Sequence, residues 1–196
     1  MKNHTIIKTT QKQMMEMAAN WISINEPRII EVGCSSGSFT DFIKKRGIPN
    51  YIGLDIDDFV IDRAREAYPE YKFMVADINE NYYLLRKASM IVLFQTLQCI
   101  RHDLRLLNNI IPSTKMIISV PNSPYGGNLR HYELSDWKKR FSRYIDFSKF
   151  VTIQNPKKVD KRSFLFKGVR NEYIDKKNLA EFPHVTFDGL IIGGGS

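Results

Sequence analysis

The chain has 196 residues and a net charge of +8, with 43% hydrophobic and 26% charged residues, the balance of an ordinary globular protein with one core. Cys34 and Cys99 sit in Gly-rich or apolar settings and form no ligand-like pair, which argues against a disulfide framework and for a reducing compartment. No run approaches the ~20 apolar residues of a bilayer span, and MKNHTIIKTTQKQ has no apolar stretch of signal type, so a cytoplasmic protein that stays off membranes is expected.

Short β-branched and apolar runs alternate with amphipathic stretches, the signature of βαβ units. A first helix is expected over Gln11 to Ile24, stopping before Pro27. A strand over Arg28 to Val32 leads through a Gly/Ser turn to a helix from about Ser38 to Lys45, ended by Gly47. A second strand covers Tyr51 to Ile56, and Asp57 or Asp58 caps a helix that runs to Ala67. Strands at Tyr71 to Ala76, Met90 to Phe94 and Lys115 to Val120 follow, with a helix over Arg101 to Ile111 between the last two. Pro121 to Arg130 reads as a loop, and a short helix near Ser135 carries Trp137 and Phe141. Phe150 to Gln154 and Ser163 to Val169 then read as adjacent strands joined by the basic loop QNPKKVDKRS, a connection so short that the pair is antiparallel. The expectation is one domain: a helical N-terminal cap at 1–27, a core at 28–170 and a tail at 171–196. Its fold is a Rossmann-like doubly wound α/β sheet, mostly parallel, with an antiparallel C-terminal hairpin strand.

The stretch from Glu31 to Phe39, EVGCSSGSF, stands where the first core strand ends. Gly33 lets the chain turn without a Cβ in the way, Gly37 permits close backbone approach, and the helix start offers free N–H groups to a polar ligand. A dinucleotide site of G-x-G-x-x-G type requires glycines where Ser35 and Ser38 stand, so a nicotinamide-dependent oxidoreductase is disfavoured.

Over about residues 28–170 the chain resembles the class I S-adenosylmethionine-dependent methyltransferases. EVGCSSGSF is similar to that superfamily's first motif, with Ser35 where glycine is commoner. The resemblance implies a seven-stranded sheet and S-adenosylmethionine as cofactor, with Glu31, Gly33, Cys34 and Gly37 around its methionine portion. YIGLDID is similar to the second motif and places Asp55, 22 residues after Gly33, on the ribose hydroxyls, with Ile56 beside it. KFMVADIN is similar to the third, which gives Asp77 the adenine amino group and sets Ala76 and Ile78 along the ring. MIVLFQTLQCI matches the fourth strand and its exit, with cofactor-contacting backbone at Phe94 and Gln95.

Methyl transfer from an activated donor asks the protein chiefly to position a nucleophile and exclude water. If a hydroxyl is the acceptor, a base helps, and His131 is the first candidate, followed by Tyr125; His102, Tyr132 and Glu133 are less favoured. Asn122-Ser-Pro-Tyr125 looks like the motif of exocyclic-amine methyltransferases, but it follows the fifth core strand rather than the fourth and is read as a turn. RHYELSDWKKRF looks like a metal-binding region of ribose methyltransferases, but Gln95 and Gln98 stand where such enzymes need glutamates, so no metal is expected.

Residues 1–100 carry 12 basic and 12 acidic residues, residues 101–196 carry 17 and 9, and Arg130 to Lys177 alone holds 14 and 6. This asymmetry suggests an anionic partner. The acceptor is therefore read as the O or N nucleophile of a small anionic molecule, whether sugar, nucleotide-linked or carrier-bound. A nucleic acid held by Lys157, Lys158, Lys161 and Arg162 is the alternative, and a non-catalytic partner subunit a further one. With few insertions between strands, only the N-terminal helix and the Pro121–Arg130 loop are available to cover the pocket. That suits a large substrate or completion by a second subunit, in a monomer or a homodimer.

Overall fold

The computed structural model describes residues 4–8, 11–122, 129–156 and 158–176. Its elements in chain order are β1 (His4–Lys8), α1 (Gln11–Asn20), β2 (Ile29–Val32), α2 (Thr40–Lys45), β3 (Tyr51–Asp55), α3 (Asp58–Ala67) and β4 (Lys72–Val75). Then come a 3-10 segment (Tyr82–Lys87), β5 (Met90–Phe94), a 3-10 turn (Leu97–Cys99), α4 (Asp103–Asn109), β6 (Lys115–Pro121), α5 (Leu134–Phe141), β7 (Ile145–Asn155) and β8 (Lys158–Arg170).

The strands form one sheet in the order β1-β7-β8-β6-β5-β2-β3-β4, with β8 alone antiparallel to its neighbours. The chain winds outward from β2 to β3 and β4 on one side, and through β5 and β6 on the other. Strand order therefore reverses between β2 and β5, and a crevice opens at their carboxyl ends, where doubly wound sheets take their ligands. Val92, Ile117 and Leu165 on one face pack with Met14, Ala18 and Ile43 of α1 and α2. Ile91, Ile118 and Phe166 on the other pack with Leu106 of α4 and Trp137 and Phe141 of α5. Burial on both faces explains why β5 reads as the unbroken apolar run MIVLF. Asp57 caps α3, accepting from the N–H groups of Phe59 at 3.0 Å and Val60 at 3.4 Å.

Three expectations need correction. The N-terminal region is not only helical: residues 4–8 are an edge strand paired in parallel with β7, His4 opposite Phe150. Helix α1 ends at Asn20 rather than Ile24, and it buries Met14, Ala18 and Ala19 in the core, so it forms a layer of the domain and not a cap. The basic stretch 154–163 is mostly strand, since β7 continues to Asn155 and β8 begins at Lys158. Its nearly unbroken polar run looks like a loop locally, but backbone pairing between the two long strands decides the structure. The β4–β5 crossover contains only the 3-10 segment Tyr82–Lys87.

The closing strand is locked by Arg170, which is 1% exposed and has no carboxylate partner among the described residues. Its guanidinium donates to the carbonyls of Leu107 at 2.7 Å, Asn108 at 3.4 Å, Tyr144 at 3.4 Å and Tyr173 at 2.6 Å, and to that of Asn171. One side chain thus ties the ends of α4, α5 and β8 together. Arg170→Met keeps the apolar stem but leaves these carbonyls without their donors, and is expected to lose about 3 kcal/mol or more of stability in urea denaturation. A loss under ~1 kcal/mol would show that the guanidinium is not what joins these ends.

Candidate active site

The site begins with the turn between β2 and α2. Gly33, Ser35 and Gly37 all have left-handed φ values, +75°, +50° and +87°. Ser35 pays a penalty here that glycine would not, which is the physical reason glycine is commoner at that position of the motif. Gly33 is also needed sterically, since a Cβ there would lie 2.3 Å from Thr96 Oγ1. At Gly37 a Cβ would lie 2.8 Å from the Tyr68 ring. Gly33 and Cys34 donate their N–H groups to the Leu54 carbonyl at 2.7 and 3.0 Å, and Ser35 N–H donates to Asp55 Oδ2 at 2.8 Å. The turn is therefore clamped between the end of β3 and the exit from β5.

Asp55 ends β3, half-buried, and also accepts from Asp57 N–H at 3.2 Å. Asp77 follows β4, also half-buried, and its Oδ1 accepts from both the backbone and the side chain of Asn79 at 2.9 Å. Three carboxylates, those of Glu31, Asp55 and Asp77, thus come from three neighbouring strands and their exits. Ile56 is 65% exposed next to Asp55, whereas Ile78 is 5% exposed and packs in the core. Phe94 is buried against Phe39, with ring centroids 4.6 Å apart. Gln95 has φ +50°, and Ser119 anchors it through N–H to carbonyl at 3.0 Å and Nε2 to Oγ at 2.9 Å.

Two members of the cradle are neutral by environment. Glu31 is 2% exposed, and burial raises its carboxyl to about 8, with a hydrogen bond from Tyr51 opposing the shift and Asp55 adding to it. Burial, followed by the charges of Glu31 and Asp55, pushes the Cys34 thiol far above its usual range, so Cys34 lines the turn without acting as a nucleophile. Gly53 makes room for it: a Cβ there would stand 2.7 Å from Cys34 Sγ.

Of the base candidates, Tyr125 lies outside the described residues. His131 is exposed just before α5. Its segment is pinned to the exit of β5, with Leu129 N–H on the Gln98 carbonyl at 3.1 Å and Arg130 on the carbonyls of Ile100 and Arg101, each at 2.8 Å. Asn122 Oδ1 accepts from Arg162 N–H at 2.8 Å and its Nδ2 donates to Glu133 at 3.3 Å; positions 123–125 of that motif lie outside the described residues. Sequence reasoning missed Thr40, Tyr51, Thr96, Gln98 and Ser119, which act through contacts between distant segments.

Part of the basic excess is used inside the molecule. Arg140 grips Asp103 with two 2.7 Å hydrogen bonds, Arg130 joins the same carboxylate at 3.4 Å, and Arg170 is buried. Lys167 donates to the Trp21 carbonyl at 2.7 Å, and Lys138 lies 3.9 Å from the centroid of the Phe150 ring. Arg162 stands 4.0 Å from Glu133. No helix among the described residues is long and apolar enough to cross a membrane.

Fold and site together define a doubly wound domain with a glycine turn and strand-end carboxylates at its switch point. Residues 5–160 match a family model described as a methyltransferase domain, and the chain belongs to this family, within the class I S-adenosylmethionine-dependent superfamily. Malonyl-[acyl-carrier protein] O-methyltransferase 1 of Ilyobacter polytropus is 26% identical over 174 residues, covering 85% of this chain and 64% of the relative. The chain spans less than two thirds of the length of the curated relatives it matches. Among solved structures, magnesium protoporphyrin IX methyltransferase from Synechocystis PCC 6803 with bound SAH has a TM-score of 0.64 at 14% identity, covering 82% of this chain and 83% of that one. The [4+2]-cyclase SpnF has a TM-score of 0.66 at 8% identity, covering 82% and 81%. These likenesses establish the fold, and the cyclase shows that the fold alone does not set the chemistry.

The Glu31 carboxyl has a measurable consequence. It titrates near 4.5 when exposed and at about 8 when folded, so across that window the folded state holds the extra proton. The stability this provides is complete below 4.5 and is lost as pH rises through about 8. Urea denaturation of the ligand-free protein is expected to show stability falling from pH 5 to pH 8, and Glu31→Gln to remove most of that slope. An equal slope in the variant would contradict the assignment.

Proposed function

We propose that this chain transfers a methyl group from S-adenosylmethionine to an oxygen of a small anionic acceptor, with a carrier-bound acyl group as the favoured case. The observation that carries the cofactor half is the clamped turn: Gly33, Ser35 and Gly37 lie between the Glu31 and Asp55 carboxylates, with Asp77 on the next strand exit. The residues fit the cofactor. Asp55 has lone pairs beyond those used by Ser35 and Asp57 for the two ribose hydroxyls, and Asp77 Oδ2 is available for an amino group. Glu31 and the turn would hold the methionine portion, and Ile56 offers an exposed apolar side chain beside the ribose carboxylate.

When bound, S-adenosylmethionine supplies a methyl group on a sulfonium whose leaving group is a neutral thioether. The chain supplies position and shelter. Gln95, held in a left-handed conformation by Ser119, fixes the exit of β5, and Arg130 pins the segment bearing His131 to that exit. This arrangement sets the acceptor side of the crevice before any ligand arrives. The acceptor half is supported by the carrier-protein methyltransferase relative. It is also supported by chemistry: a carboxylate oxygen is already a nucleophile and asks for no base, which suits a site whose described histidine, His131, is exposed. The inward use of Arg130, Arg140, Lys167 and Arg170 removes those charges from phosphates, while Arg162 stays exposed, so transfer to RNA is the competing outcome of the test below.

Calorimetric titration is expected to show micromolar binding of S-adenosylmethionine and none of NADH. Asp55→Ala should weaken binding by roughly 10- to 100-fold, the worth of charge-assisted hydrogen bonds. No binding by the folded protein would remove the cofactor reading. With bound cofactor, methyl transfer is expected to a malonyl-carrier thioester in preference to RNA, and His131→Ala should keep the rate within about threefold. A loss of about 100-fold would make His131 a general base and the acceptor a hydroxyl.

A further inference from the structure

Thr40 opens α2, Tyr51 opens β3 and Glu31 lies within β2, yet their polar atoms meet beneath the helix. The Thr40 hydroxyl donates to the Tyr51 phenol oxygen at 3.1 Å, and the phenol donates to Glu31 Oε2. Thr40 is 0% exposed, and Tyr51 and Glu31 are each 2% exposed, so these hydrogen bonds are shielded from water. Glu31 Oε1 differs, since it makes no hydrogen bond among the described residues and is not one of the fully occluded atoms that lack a partner. One oxygen is held from below and the other is left to meet a ligand. The titratable groups that face it are Tyr51 and Asp55 of β3 and Cys34 of the turn, none of them cationic. Helices α1 and α2 cover this face with Met14, Ala18 and Ile43, and Thr40 is their polar contribution.

A buried carboxyl without a cation is stable only when neutral. A ligand bearing an ammonium supplies the missing charge, and the carboxylate so formed needs a donor to hold it. We infer that burial stores Glu31 as the neutral acid in the free protein, and that cofactor binding releases its proton to solvent as the carboxylate takes the ammonium. Tyr51, backed by Thr40, is the positioning residue that keeps one carboxylate oxygen hydrogen-bonded. The inference rests on the cofactor reading above. Its proton balance is simple: the O–H bond of Glu31 breaks, the proton leaves to buffer, and nothing is oxidised or reduced.

The test is calorimetric titration of the whole chain with S-adenosylmethionine at pH 7 in phosphate and in Tris, whose ionisation enthalpies differ. The wild type is expected to release close to one proton more per cofactor than Glu31→Gln at pH 7. At pH 9.5 the two are expected to agree, both taking up the proton that the ligand's α-amino group has by then lost. Tyr51→Phe should weaken binding about tenfold at pH 7, corresponding to about one pH unit, and recover part of the loss at higher pH. Thr40→Val, which leaves the phenol in place, should show a smaller change in the same direction. Wild-type binding without proton release beyond that of Glu31→Gln overturns the inference and leaves the cofactor reading intact. Absence of binding overturns both. A Tyr51→Phe profile that parallels the wild type from pH 7 to 9.5 removes Tyr51 from the role.

Discussion

The turn after β2 is the constraint on which the rest of the site depends. Three left-handed residues within five positions bring the chain around in a path that few sequences tolerate, and the Leu54 carbonyl and Asp55 carboxylate hold that path closed. Thr96 fills the space that a side chain at position 33 would occupy, so β2, β3 and the exit of β5 are joined at one point. The crevice beside the turn is lined by the side chains of Glu31, Asp55 and Asp77. Such a site suits hydroxyls, amino groups and cations, and discourages pyrophosphate. The absence of glycine at positions 35 and 38 and the lack of a described cation at the turn both disfavour a pyrophosphate there.

The sheet makes this turn possible. Its switch point lies between β2 and β5, where chain paths diverge and leave a crevice without any residue having to be removed from the core. The β7–β8 hairpin closes the opposite flank and is itself covered at its edge by β1. Arg170 then joins the last strand to α4 and to the end of α5. Part of the basic excess of the second half is thus structural. Arg130 and Arg140 neutralise Asp103, which is 1% exposed and would otherwise be a buried unpaired charge. A charge count along the sequence registers these side chains as surface, and only their partners show that they face inward.

The legible part of the fold was that in which local pattern and tertiary demand agree. The run MIVLF, the Asp57 cap and the stops at Gly47 and Pro69 carry their own signals, and those elements lie within a few residues of expectation. Strand β1 carries no such signal, because HTIIK is short and its reason for being extended is β7, more than a hundred residues later. The stretch around Lys158 to Arg162 looked like a loop because it is almost wholly polar and follows the Asn155-Pro156 turn signal, while pairing with β7 keeps it extended. In the candidate site, Glu31, Gly33, Gly37, Asp55 and Asp77, which the resemblance singled out, stand together at the ends of β2, β3 and β4. Tyr51, Thr40 and Ser119 were not singled out, since each looks like an ordinary element residue until the fold brings it against Glu31 or Gln95.

The central claim is that one clamped turn and the strand-end carboxylates beside it form the cofactor site. Nuclear magnetic resonance titration of the 15N-labelled chain with S-adenosylhomocysteine tests it most directly, because each backbone amide reports separately. The amides of Ser35, Gly37, Asp57 and Asn79 are expected to shift together and saturate with one dissociation constant, while those of β7 and β8 remain in place. Shifts confined to the β7–β8 hairpin, or none at saturating ligand, would contradict the account.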